Sequence, residues 1–224
     1  MEIEFGKNRG YLPQIIIYIN LSFFKMSINS AIIHQTPTTI IVTHSDSTVG
    51  KVILPNPMAW VNATTGERVD FMNSSGPTVE SETRLLKYAN VINDLMPKYI
   101  GQEDWLHTAT DTTYKMMIME RLYPLKIKHF DLSTRKQMFE AFAEKLKALH
   151  DHLFVHGDFM RPTSVFNRGD KDWMFANIIQ TATELRLVDV GAAQIYNKEN
   201  ATLFASTLLR ERDEIDYFRK YYLT

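Results

Sequence analysis

Apolar positions divide the chain into a strand-rich first third and a helix-rich remainder. Residues 31–34 (AIIH) and 39–43 (TIIVT) are β-branched runs separated by Gln35-Thr36-Pro37-Thr38. Residues 45–48 (SDST) read as a turn before a third run, 49–54 (VGKVIL). Short β-rich runs joined by turn residues predict hairpins. Pro55 and Pro57 end the third run, and the Gly-, Ser-, Asn- and Thr-rich stretch 62–77 predicts a loop. The period changes at Val79. Leu85, Leu86, Ala89, Ile92 and Leu95 recur at i, i+3/i+4, which predicts a helix with Thr78 as its N-cap. Residues 114–122 (YKMMIMERL) predict a buried strand. A long helix follows, starting at Asp131 or Ser133 and running through His150, with Met138, Phe142, Leu146 and Leu149 on one face. Residues 154–155 and 185–188 predict short strands, and 201–222 one helix or two.

Composition narrows the function classes. The chain has 224 residues, room for one large domain or two small lobes. Its formal net charge of −1 leaves no global nucleic-acid footprint. It has no cysteine, which excludes disulfides, thiolate zinc sites and a cysteine nucleophile. Residues 14–24 (QIIIYINLSFF) are apolar, but eleven residues are too few to span a bilayer. They predict a strand, and Met26 offers an alternative start that would make the first 25 residues an extension.

The densest chemistry lies between Phe154 and Gly191. His156-Gly157-Asp158, then Asn177, then Asp189-Val190-Gly191 form an ordered series of acid, amide and acid. That series supplies a proton acceptor and two hard oxygen ligands, the minimum for ATP-dependent phosphoryl transfer. The twelve residues from Asn177 to Asp189 suit a hairpin that returns both ligands to one place. His150, His152 and His156 beside Asp151 and Asp158 also permit a metallohydrolase reading. Their spacing argues against it, because His150 and His152 leave a helix end on different faces.

These residues resemble the protein-kinase-like superfamily, over roughly residues 31–191. LKALHDHLFVHGDF is similar to the helix and loop that carry the catalytic aspartate. NIIQ and LRLVDVG are similar to the metal-binding asparagine and the DFG-type aspartate, and MIMERL to the last strand before the hinge. The resemblance implies an α+β, two-lobed fold: a β-rich N-lobe over 27–119, a hinge over 120–125 and a reduced helical C-lobe over 126–224. It implies ATP and Mg2+ as cofactors. Asp158 would act on the attacking hydroxyl, Asn177 and Asp189 would hold the metal, and Lys51 would meet the phosphates. Glu82 would orient Lys51, with Glu80 the alternative on the same helix. Residues two apart point about 200° from one another, so only one can serve. The adenine would lie along the backbone of Glu120, Arg121 and Leu122.

The sequence departs from the family pattern in five respects. No glycine-rich loop is visible at 35–38. An insertion separates Asp158 from Asn177 and contains a rival asparagine, Asn167, as well as the cations Arg161, Arg168 and Lys171. Val190 stands where the family has phenylalanine. Gly157 replaces the arginine of HRD, and 33 residues follow Gly191. The HGD form is shared with lipopolysaccharide kinases, small-molecule kinases and small atypical protein kinases, and implies activity without activation-loop phosphorylation. The expected function is transfer to a protein Ser/Thr hydroxyl. The alternatives are a lipopolysaccharide or small-molecule acceptor, or a non-catalytic pseudokinase. The expected location is the cytoplasm, or a host cell after secretion as an effector. Trp105, Trp173, Tyr217, Phe218, Tyr221 and Tyr222 are expected to pack rather than stack on bases, and the sequence sets no oligomeric state.

Overall fold

The computed structural model describes residues 31–36, 38–54, 60–61, 68–69, 77–160 and 174–224. The expected strand at 14–24, the alternative start at Met26, Pro55, Pro57, Asn167, Arg161, Arg168, Lys171 and Trp173 lie outside the described residues.

Five antiparallel strands form the main sheet, in the order β1 (Ile32–Gln35), β2 (Thr39–Thr43), β3 (Thr48–Ile53), β7 (Thr112–Glu120) and β6 (Tyr99–His107). Strands β4 (Trp60–Val61) and β5 (Arg68–Val69) pair with each other, β4 just before the stretch expected to be a loop and β5 inside it. Register explains how the sheet divides its side chains. In β3, Gly50, Lys51 and Val52 lie opposite Ile118, Met117 and Met116 of β7. Successive side chains alternate faces. Val52, Met116 and Ile118 join Ile40, Val42 and Trp105 in a small outer cluster, whereas Met117 enters the main core. Lys51 shares the face of Met117. A Cβ on Gly50 would lie 2.1 Å from the Met116 sulfur, so this position must stay bare for the outer cluster to close.

Helix α1 (Val79–Ile92) begins as its sequence predicts. Thr78 and Ser81 form a reciprocal capping box, with Ser81 N–H on Thr78 Oγ1 at 3.1 Å and Thr78 N–H on Ser81 Oγ at 2.8 Å. The helix stops before Leu95, which instead lies buried in the following loop. Helix α2 (Leu132–Asp151) takes Asp131 rather than Ser133 as its cap, with the carboxylate accepting from Thr134 N–H at 2.9 Å. Helix α3 (Ala201–Tyr222) is a single helix. Its Phe218 and Tyr222 are fully buried, and Phe218 packs its ring on Phe139, Phe142 and Phe175. Tyr217, in contrast, stays 43% exposed.

Two hairpin-like pairs carry the chemistry-bearing loops. Strand β8 (Phe154–Val155) pairs with β11 (Gln194–Ile195), and β9 (Ile178–Gln180) with β10 (Leu185–Leu187). Strand β6 is a feature the sequence did not announce. It is an edge strand whose only buried residue is Trp105, and its Gln102, Glu103 and Asp104 break any apolar alternation. Charged edges of this kind resist pairing with other chains. Strand β7 ends at Glu120, two residues before the expected end, which leaves Arg121 and Leu122 in the connector.

Candidate active site

Lys51 occupies the centre of the site. Its Nζ lies 2.7 Å from Glu82 Oε2 and 2.8 Å from Asp189 Oδ1. The three residues come from β3, from the first turn of α1 and from the loop after β10. Lys51 and Glu82 are 4% and 2% exposed, so the lysine is effectively sealed between its carboxylates. Glu80, the rival partner, is exposed on the opposite side of α1. Burial works against the Lys51 charge, but Asp189 and Glu82 outweigh it and hold the ammonium above its ordinary range. Burial pushes the Glu82 carboxyl up against the pull of Lys51. Asp189 resists burial through Lys51 and the Gly191 N–H, and falls below the ordinary range. Of the two carboxyls flanking the lysine, Asp189 is therefore the stronger acid.

Asp189 has a backbone φ of 65°, a left-handed conformation that aspartate tolerates better than most residues. There its Oδ1 also accepts from Gly191 N–H at 3.1 Å, while Oδ2 has no partner among the described residues. Val190 is turned into the main core at 3% exposure. The β9–β10 hairpin brings Asn177 back beside Asp189, as the twelve-residue spacing predicts, with Val188 N–H on Asn177 O at 2.9 Å. Asn177 donates to both the main-chain oxygen and a carboxylate oxygen of Asp158, each at 2.8 Å. Its own Oδ1 has no partner among the described residues.

The loop carrying Asp158 is fixed from below. His156 is fully buried; burial holds its ring below the ordinary histidine range, and it bonds Val188 O at 2.9 Å. The neutral ring stacks on Phe159. Gly157 has φ +85°, and a Cβ there would meet Ala192 O at 2.3 Å. The HGD glycine is therefore a steric requirement of this loop. Its N–H donates to Glu211 of α3, and its carbonyl accepts from Arg210 at 2.6 Å. Glu211 is fully buried, and its other oxygen pairs with His150 at 2.8 Å. The three histidines thus go to separate partners, His150 to Glu211, His152 to Ala148 O and His156 to Val188 O. Among the described residues, no three His, Cys, Asp or Glu side chains are grouped to hold a metal by themselves. Neither Glu211 nor Arg210 carries a signal of its role in the sequence, because an acid and a cation in LRERDEID look like a solvated helix face.

The donor set fits Mg2+ held together with phosphates. That ion takes one or two protein oxygens and completes its shell with waters and phosphate. Asn177 Oδ1 and Asp189 Oδ2 are two such oxygens. The connector is less open. The backbone N–H of Glu120 donates to Lys98 O at 2.9 Å and that of Arg121 to Ser47 O at 2.8 Å. The Glu120 carboxylate is engaged by Arg186 and Lys98 N–H. Leu122 is the residue of the three whose backbone N–H has no partner among the described residues.

The fold is that of the protein kinases, α+β and two-lobed. A kinase of Legionella pneumophila, Lpg2603 bound to IP6, is similar at a TM-score of 0.50 and 13% identity, over 86% of this chain and 60% of that one. The Rio2 kinase of Chaetomium thermophilum, in an ADP/Mg2+-phosphoaspartate complex, is similar at a TM-score of 0.52 and 14% identity, over 98% of this chain and 65% of that one. The chain spans less than two thirds of the length of each. No protein-family profile matches the sequence.

Proposed function

We propose that this protein transfers the γ-phosphoryl group of ATP to a hydroxyl, with a serine or threonine of a protein as acceptor. The observation that carries this reading is the position of Lys51 between Glu82 and Asp189, at 2.7 and 2.8 Å. A buried lysine needs a carboxylate to stay charged, but the second one, drawn from 138 residues away and half exposed, has no structural necessity. An ammonium that can pass from Asp189 to a phosphate explains it.

In this reading residues 27–119 form the nucleotide-binding lobe, 120–125 the hinge and 126–224 the second lobe. Lys51 contacts the phosphates and Glu82 keeps it in place. The adenine is held along 120–122, chiefly through Leu122. Asn177 and Asp189 hold Mg2+, whose contribution is to neutralise charge on the polyphosphate. Asp158, held by Asn177, orients the acceptor hydroxyl and takes its proton. Positioning and charge placement supply most of the rate.

The protein acceptor is favoured by the surroundings of Asp158. That residue is partly exposed. A hydroxyl on a protein surface reaches a partly exposed carboxylate without needing walls around it. The cysteine-free sequence is consistent with action in a reducing cytoplasm, that of the producing cell or of a host. Among the described residues no helix is long and apolar enough to cross a membrane.

Radiolabelled γ-phosphate transfer, compared between the wild type and Asp189→Ala, tests the reading. Label on the protein itself or on a generic protein substrate, lost in the variant, supports it. Label only on a saccharide or other small hydroxyl compound would move the acceptor class. Absence of any thermal shift with millimolar ATP and Mg2+ would sink the enzyme reading altogether.

A further inference from the structure

Arg186 is three residues before Asp189 and takes no part in the chemistry proposed above. It is nevertheless the most heavily engaged cation in the described structure. The central residue of β10, it is only 6% exposed. One terminal nitrogen donates to Glu120 Oε2 and to Met96 O, each at 2.8 Å. The other donates to Glu184 at 2.9 Å, and Nε reaches Leu95 O at 3.4 Å. Glu120 Oε2 also accepts from Lys98 N–H at 3.1 Å. A single guanidinium thus joins three pieces of chain: the hairpin that bears Asn177 and Asp189, the loop 93–98 that follows α1, and Glu120, the last residue of β7 before the connector.

The pieces it joins are the two ends of the proposed nucleotide site. The connector would hold the base and the hairpin the metal and phosphates. Neighbouring contacts on the same loop do not duplicate the link. Lys145 binds Asp94 at 2.7 Å and Glu184 at 2.6 Å, and Leu187 N–H donates to Leu95 O at 2.9 Å, but neither touches residues 120–122. Among the described residues, the Arg186–Glu120 pair joins the hairpin to the start of the connector through side chains; at the far end of the connector Leu125 N–H donates to Gln180 O at 2.7 Å and Gln180 Nε2 to Lys126 O at 2.9 Å. A planar guanidinium with several donors in fixed directions sets distance and angle together, which an ammonium cannot do.

We propose that Arg186 is a positioning residue that fixes the separation between the base-binding connector and the metal-binding hairpin. The inference rests on the phosphotransferase reading above. A ligand that uses both ends should depend on Arg186, and a ligand that uses only the phosphate end should not. A residue that merely stabilised the fold would affect both ligands alike.

The test compares dissociation constants of Mg2+-ATP and Mg2+-tripolyphosphate, by calorimetry on the full chain, for the wild type, Arg186→Met and Glu120→Gln. Arg186→Met is expected to weaken Mg2+-ATP about tenfold and leave Mg2+-tripolyphosphate within about twofold, the size of loss that a small misplacement produces. Glu120→Gln should shift the same ratio in the same direction by less, since it leaves the guanidinium its two carbonyls and Glu184. If Arg186→Met does not fold, the ratio is read on Glu120→Gln alone. Parallel weakening of both ligands, or no change in either, overturns the positioning role while the phosphotransferase reading stands. A wild type that binds neither ligand overturns that reading, and this inference with it.

Discussion

The side-chain nitrogen of Asn177 lies 2.8 Å from both the main-chain oxygen and the carboxylate of Asp158. One amide therefore holds the proposed proton acceptor in two places and keeps its own oxygen for a metal. Replacing it with alanine should remove both services. We expect Asn177→Ala to lower transfer by about 10²-fold, the size associated with losing one placed group, and to cost roughly 1 kcal/mol of stability for the lost hydrogen bonds. Single-turnover label transfer and urea melts check the two numbers, and wild-type transfer in the variant would exclude the amide from the site.

Lys51→Met should abolish transfer and also destabilise the fold, because it leaves Glu82 buried and unpaired. Breaking a buried ion pair from one side costs about 3–5 kcal/mol. The double variant Lys51→Met/Glu82→Met removes both charges and should regain most of that stability without regaining transfer. Equal melting of the single and double variants would show that the pair is not the source of the loss.

Gly157→Ala places a methyl group 2.3 Å from Ala192 O at a φ of +85°. Strain at such a position costs on the order of 1–3 kcal/mol, and the carbonyl must move as well. We expect a lower melting temperature together with a clear loss of transfer, since Gly157 precedes Asp158. Unchanged melting would mean that the loop does not close over Gly157 as described.

Glu214 lies one turn beyond Arg210 on α3, near Asp158 and Glu211. Its Oε2 is buried with no hydrogen-bond partner in the described structure, and Arg210 Nε stands 3.5 Å from Oε1. Burial, opposed by Arg210 and reinforced by Glu211 and Asp158, pushes its carboxyl from 4.5 up to about 7. The folded state therefore holds this proton more tightly than the unfolded chain. The carboxyl imposes no cost below pH 4.5, a growing cost as pH rises through that window, and its full cost above pH 7. With allowance for solvent screening the full cost is on the order of 2 kcal/mol. Glu214→Gln should melt like the wild type near the acid end and above it at neutral and higher pH. A difference that shrinks with rising pH would contradict the placement.

The residues proposed to carry the chemistry stand out in the sequence because their order is so constrained. Type and order single out Asp158, Asn177 and Asp189, whereas Lys51, by itself an ordinary strand lysine, takes its expected role from the resemblance. Glu82 was preferred over Glu80 on helical geometry, since Leu85 and Leu86 mark the inward edge of α1. What holds these residues was not legible. Glu211, Arg210 and Arg186 are charged residues in segments that look solvated or merely apolar, and the partners that matter to the site lie 53 to 91 positions away. Strand β6 was missed for a related reason, because an edge strand with one buried side chain leaves no alternation to detect. Leu95 fitted the helical period by coincidence, since α1 ends at Ile92 and the leucine is buried by the loop instead.

The sharing of Lys51 between Glu82 and Asp189 has a thermodynamic side. Among the described residues, Lys51, Glu82, Asp189 and Asp158 set one ammonium against three carboxylates, so these side chains repel a polyphosphate more than they attract it. Countercharge must arrive with the nucleotide. In this reading the divalent cation and the nucleotide are reciprocal ligands: each should lower the dissociation constant of the other by the same factor. Chelating the metal should then release ATP from the protein, rather than leave it bound and unreacted.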